Sequence, residues 1–400
     1  MAKAGASSGC HWWPLPILIA VVAGASVGIT YVTKTGVFAE NTGSHSSGGG
    51  NAVVNGTVVS GNTSVPATCK SRGTYLNGKS CKSCPNTKNG KTFAIFWESQ
   101  TDGCLDFLKS EAAQYVTHVY WGFATVGKDG SVQQTFQGND ATLQACIAAM
   151  KKYVSFLPTS DCHHRPCSKC IKQYASIGGA SVRENFLSIN TPAAYSKFGS
   201  TGASLVKKFG FDGVDIDDES GNLGAGGNWQ KNAGPNVVGY LSALRSALDD
   251  LPLASGEPKY VITWDELPTA FDKTCSDAGA DYGRCFVPEI LKYVNEVNDM
   301  MYNAASDTMD YWLKTTVPSS WATAVGSNKL LIGQCVGMGE GSGICSYGDA
   351  PSPTQLAAAA KTGATYKGAM LWTGSYDWKA NKGKVVIAMG KAGDYGSGLS

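Results

Sequence analysis

The stretch FDGVDIDDES, residues 211–220, decides how this chain is read. Side chains alternate along a β-strand, so Asp215, Asp217 and Glu219 project to one face while Val214, Ile216 and Asp218 project to the other. A calcium loop would need a glycine at its turn and oxygen ligands spread over about a dozen residues. Here the strand formers Val214 and Ile216 interrupt the acids instead. Three carboxyl groups on one poorly solvated face cannot all ionise cheaply, so at least one is expected to keep its proton near neutral pH. Glu219, last in the run, is the natural proton donor if the strand ends at an open rim.

Working outward, the same alternation of short β-branched or aromatic runs with amphipathic segments begins near Lys91 and continues to the C-terminus. It predicts strands at 92–97, 117–124, 173–178, 211–217, 259–264, 298–302, 329–334 and 367–372, with helices such as 191–209 and 236–251 flanking the fourth. Eight strand and helix pairs favour a closed (β/α)8 TIM barrel over an open doubly wound sheet. No glycine-rich dinucleotide turn follows the first strand, where Trp97-Glu98-Ser99-Gln100 stands.

The first ninety residues read differently. Residues 1–11 form a short tail, and 12–33 contain no charge, long enough for a signal peptide or an uncleaved membrane anchor. A Gly/Ser-rich linker at 34–66 carries two sequons, at Asn55 and Asn62. Residues 67–90 form a short cysteine module, and 91–395 the barrel. Of thirteen cysteines, Cys10 precedes the apolar segment and the other twelve follow it, an even number that in an exported chain indicates disulfides. Cys162, His163 or His164, Cys167 and Cys170 could ligate zinc, but a disulfide loop explains the same residues, and no metal or other cofactor is expected. A net charge of +2 without a long basic run excludes nucleic acid as an expected partner.

The segment DGVDIDDE, residues 212–219, resembles the DGxDxDxE signature of glycoside hydrolase family 18, the chitinases and related endo-N-acetylglucosaminidases. AIFW (94–97), SIGG (176–179), MMYN (300–303) and GAMLWTGSYD (368–377) are similar to that family's first, third, sixth and eighth strands, closest to its plant class III and fungal-type branch. The short 335–351 connection leaves no room for the insertion domain of some bacterial members. The resemblance implies a retaining hydrolysis of chitin or chitooligosaccharides, in which the substrate's own acetamido oxygen attacks the anomeric carbon. It implies Glu219 as acid then base, Asp217 as the holder of the acetamido N–H, Asp215 hydrogen-bonded to Asp217, and Tyr302 bonded to the acetamido carbonyl. Trp372, Trp97, Phe96, Phe123, Met300 and Asn303 are the implied sugar contacts. Trp97, Trp121 and Trp264 suit a cleft wall and a packed core equally, and Ser176, Gly178 and Gly179 are expected to allow close backbone approach at the rim.

Two departures stand out. Asp218 replaces an apolar residue and, facing the helix layer, needs a basic partner. Phe96 stands where the branch often has tyrosine. Other readings are an endo-β-N-acetylglucosaminidase acting on N-glycans, a non-catalytic carbohydrate-binding relative, or an adhesive surface protein. All place the barrel outside the cell, secreted or anchored through 12–33.

Overall fold

The computed structural model describes residues 72–77, 80–151, 170–337 and 345–396. The signal or anchor segment, the linker with its sequons, and Cys162, His163, His164 and Cys167 lie outside the described residues. Among the described residues, no helix is long and apolar enough to cross a membrane.

The eight expected strands are present as β3 (Thr92–Glu98), β4 (His118–Val126), β6 (Lys172–Gly178), β7 (Gly213–Asp217), β8 (Val261–Glu266), β9 (Glu296–Asp299), β10 (Leu330–Cys335) and β11 (Gly368–Trp372). They pair in parallel in that order, and β3 returns to pair with β11, which closes the barrel. Helices cover the outside, so strands such as TFAIFWE are buried on both faces, and continuous apolar runs replace alternation. The sixth strand starts and ends earlier than 298–302, and Met300, Met301 and Tyr302 stand on the connection that follows it. An apolar run drew the expected boundary past the strand's true end.

Local signals set the helix around the acid strand. Thr191 caps Pro192–Phe209 through its side chain, Pro192 occupies the first turn, and Gly210 ends the helix in a left-handed conformation. Helix Gly234–Asp249 follows β7 and packs on the first.

Two features had no sequence counterpart. β5 (Val132–Phe136) folds back antiparallel on β4 and extends the sheet at the rim. β1 (Thr74–Asn77) and β2 (Ser80–Ser83) make an antiparallel hairpin within the cysteine module. The Cys84–Cys170 disulfide ties this module to the start of β6. Arg72 stacks over Tyr260 at 3.8 Å, and its backbone N–H donates to Glu257 at 2.7 Å. Those partners precede β8, so the hairpin docks at the N-terminal end of the barrel. Three more disulfides join Cys104–Cys146, Cys275–Cys285 and Cys335–Cys345.

Candidate active site

The acid strand behaves as its alternation requires. Asp215 is fully buried in the barrel and accepts from Ser176 Oγ at 2.8 Å, Thr263 Oγ1 at 2.5 Å and Asn298 Nδ2 at 3.2 Å. The neighbouring Asp265 carboxyl also favours its charged form. Burial raises the Asp215 carboxyl to about 6 against the pull of these donors. Asp217 lies one layer nearer the rim, and its Oδ1 has no hydrogen-bond partner. Burial first, then the charges of Glu219 and Asp215, hold its carboxyl well above the usual range.

Glu219 follows the strand and lines the cleft. Burial pushes its carboxyl up to about 7, although Arg284, Arg183 and a hydrogen bond from the Ala180 amide each favour the charged form. The result is a glutamic acid protonated in the neutral range, at the C-terminal mouth where barrel enzymes place their chemistry. Gly178 allows this crowding: its φ is +130°, and a Cβ there would fall 2.1 Å from the Asp217 carbonyl oxygen. Ser176, expected only to admit close backbone approach, instead holds Asp215 with its hydroxyl.

The cleft encloses about 900 Å³, within the range of small-ligand sites. Phe96, Phe123 and Trp372 form an aromatic wall, with ring centroids 5.3 Å apart for Phe96–Trp372 and 5.7 Å for the stacked Phe123–Trp372 pair. Tyr302, Met300 and Asn303 also line it. Burial and the nearby Asp265 and Asp217 charges hold the Tyr302 phenol well above its ordinary value, so it remains a donor. Asn303, in a left-handed conformation with φ +60°, accepts from the Ser346 amide at 2.7 Å.

Trp97 is a correction: it is not in the cleft. On β3 it neighbours the inward Phe96 and so faces the helices, where it packs on Phe107 and Trp121 and its indole N–H donates to the Thr101 carbonyl. Trp121 and Trp264 are likewise core, with indole N–H groups donating to Gln173 and Glu266.

Asp218 faces outward and has the basic partner its burial demands. Arg284, fully buried, lies 3.8 Å from Asp218 Oδ1 and 2.5 Å from Glu266 Oε1. Tyr240 Oη and the Ser220 amide donate to Asp218 at 2.9 Å each. Arg284 also donates to the Ser220 and Asp265 carbonyls and lies over the Trp229 ring at 4.3 Å.

Sequence reading missed Asp265, Asn298, Tyr282, Tyr347 and Glu98. Alternation within VITWDE would have turned Thr263 and Asp265 inward, had it been applied to β8 as it was to β7. Tyr282 and Tyr347 come from loops, which carry no periodic signal. Cys170 is paired with Cys84, which removes it from any zinc set. Among the described residues, no group of three or more His, Cys, Asp or Glu side chains could hold a metal ion.

Residues 92–333 match the model of glycosyl hydrolases family 18. Chitinase 1 of Aphanocladium album is 24% identical over 216 residues, covering 50% of this chain and 44% of that protein. The chain therefore spans less than half the length of this curated relative. Among solved structures, a family 18 chitinase from Cycas revoluta in complex with (GlcNAc)3 aligns with a TM-score of 0.50 and 17% identity, covering 76% of this chain and 99% of that one. A chitinase from Trichuris suis aligns with a TM-score of 0.54 and 12% identity over the same shares. At these identities the structural likeness establishes the barrel.

Proposed function

The chain belongs to glycosyl hydrolases family 18, and from that premise we propose that it hydrolyses β-1,4-linked N-acetylglucosamine polymers, chitin or its oligomers, with retention of configuration. The observation that carries this reading is Glu219, a carboxyl group raised to about 7 inside the cleft and next to Asp217. An acid of that strength still holds a proton at neutral pH and gives it up readily, which is what a leaving glycosidic oxygen requires.

In the proposed reaction Glu219 protonates that oxygen while the 2-acetamido carbonyl oxygen attacks the anomeric carbon, so no enzyme nucleophile is needed. Asp217 has an oxygen without a partner in the free site, and it is the acceptor for the acetamido N–H. Tyr302 donates to the acetamido oxygen, and the Trp372 face lies under the sugar's C–H groups. Phe123 and Phe96 continue that wall, with Met300 and Asn303 at its edge. Glu219, now a carboxylate, takes a proton from water as it opens the cyclic intermediate.

The relatives support the substrate, since the Cycas revoluta enzyme is described with (GlcNAc)3 bound. The four disulfides among the described residues support an oxidising, extracellular setting. The test is release of fluorophore from chitobiose and chitotriose conjugates, with the anomer of the first product followed by NMR. Activity abolished by Glu219→Gln and a β-anomeric first product are expected; an α-anomeric first product rules out the substrate-assisted route.

A further inference from the structure

Asp265 is a fully buried acid of the cleft that the reaction above leaves without a task. It sits on β8 beside Thr263, fully buried, and lines the cavity together with Asp217 and Glu219. The β8–β9 register sets it opposite Asn298. That amide bridges two carboxyl groups, donating to Asp265 Oδ1 at 2.7 Å and to Asp215 Oδ1 at 3.2 Å. Asp265 Oδ2 has no partner that could donate to it. The arrangement holds the two acids together through Asn298, and a direct bond between two carboxyl groups would need a proton on one of them.

Resting on the hydrolytic reading above, we propose that Asp265 is a fourth acid of the site, a positioning residue that donates a hydrogen bond to Asp215 and so fixes that carboxylate as an anion beneath Asp217.

The choice of donor follows from the neighbours. Asp215 already accepts from Ser176, Thr263 and Asn298, three donors that favour its charged form. Asp265 accepts only from Asn298 and faces Asp215 and Asp217, so its carboxyl is held well above the usual range by burial and by those charges. The other titratable groups around it are Tyr120 on β4 and Tyr302 after β9, both neutral phenols, while Arg284 reaches only its backbone carbonyl from outside. A protonated Asp265 removes one negative charge from the cavity without removing the acceptor that Asp215 presents. Asp215 then holds a fixed charge behind Asp217, where positive charge develops on the acetamido group.

The test compares Asp265→Ala with the near-isosteric Asp265→Asn, whose amide can still donate to Asp215. In the full chain acting on a chitotriose conjugate, Asp265→Ala is expected to lose about 10- to 100-fold in kcat with KM within roughly 3-fold, the cost of one hydrogen bond to a charged group. Asp265→Asn should recover about 10-fold of that loss. Infrared difference spectra at neutral pH should show a protonated-carboxyl band that disappears in Asp265→Asn and persists in Glu219→Gln. Equal loss in both Asp265 variants, or an unchanged infrared band in Asp265→Asn, overturns the proposal. If Asp265→Ala does not fold, the infrared arm decides alone. That arm needs no turnover, so it also separates this inference from the hydrolytic reading, which fails if wild-type chain cleaves no conjugate.

Discussion

On the inner side of β7 and the two residues that follow it, Asp215, Asp217 and Glu219 sit among hydroxyls, amides and one another, whereas on the outer side Asp218 is ringed by Arg284, Tyr240 and the Ser220 amide. All four belong to one run of five residues and all are largely removed from water. The outer acid is matched by a cation with its own full set of hydrogen bonds, so it holds structure and does no chemistry. On the inner side Asp215 is matched by neutral donors and Glu219 by its own proton, and a proton held loosely is what an acid catalyst transfers. Two neighbouring faces of one strand thus divide anchoring from reactivity.

The sharpest way to break that division is to exchange the consequences. Glu219→Gln should lower kcat on a chitotriose conjugate by about 10³-fold, the middle of the range for losing a general acid. Its melting temperature at pH 8 should equal or exceed that of the wild type, because a buried acid has been replaced by a neutral amide. A clear drop in melting temperature would show that the inner face also anchors the fold. Arg284→Met should do the reverse and destabilise by about 3–5 kcal/mol in urea unfolding, since it leaves Asp218 and Glu266 buried without their cation.

The pH dependence of stability gives a smaller and signed test. Glu219 keeps its proton up to about 7 in the fold, against 4.5 ordinarily, and Asp215 up to about 6, against 3.8. The native state therefore binds more protons than the unfolded chain between about pH 4 and 7, and stability falls as pH rises through that window. The wild type should lose on the order of 1–3 kcal/mol between pH 5 and pH 8, and Glu219→Gln should lose less. The same titration predicts that kcat/KM declines above about pH 7. The smallest effect belongs to Asp218→Asn, about 1–2 kcal/mol in urea unfolding, because Arg284 keeps Glu266 and Tyr240 keeps an oxygen to donate to.

The barrel was legible because its strands are buried on both faces and read as apolar runs, and the acid strand because three carboxyl groups at period two have no place in an ordinary core. The outward turn of Asp218 and its need for a cation were legible too, but the identity of that cation was not, since Arg284 lies 66 residues away on an irregular loop. Trp97 was misplaced because residue type was weighed without the alternation that turns it outward. Asp265 was overlooked because the alternation that turns it inward within VITWDE was not applied to that strand, and its pairing with Asn298 comes only from the β8–β9 register. β5, with its polar VQQTF sequence, is buried only at its two ends, and two apolar residues make too weak a period to find.

The Cys84–Cys170 bond and the Arg72 contacts join the leading stretch of chain to the end of the barrel away from the cleft. Tension arriving along that stretch would be borne by a covalent clasp at the start of β6 and spread into the foot of the parallel staves. The mouth, at the opposite end, would feel little of it.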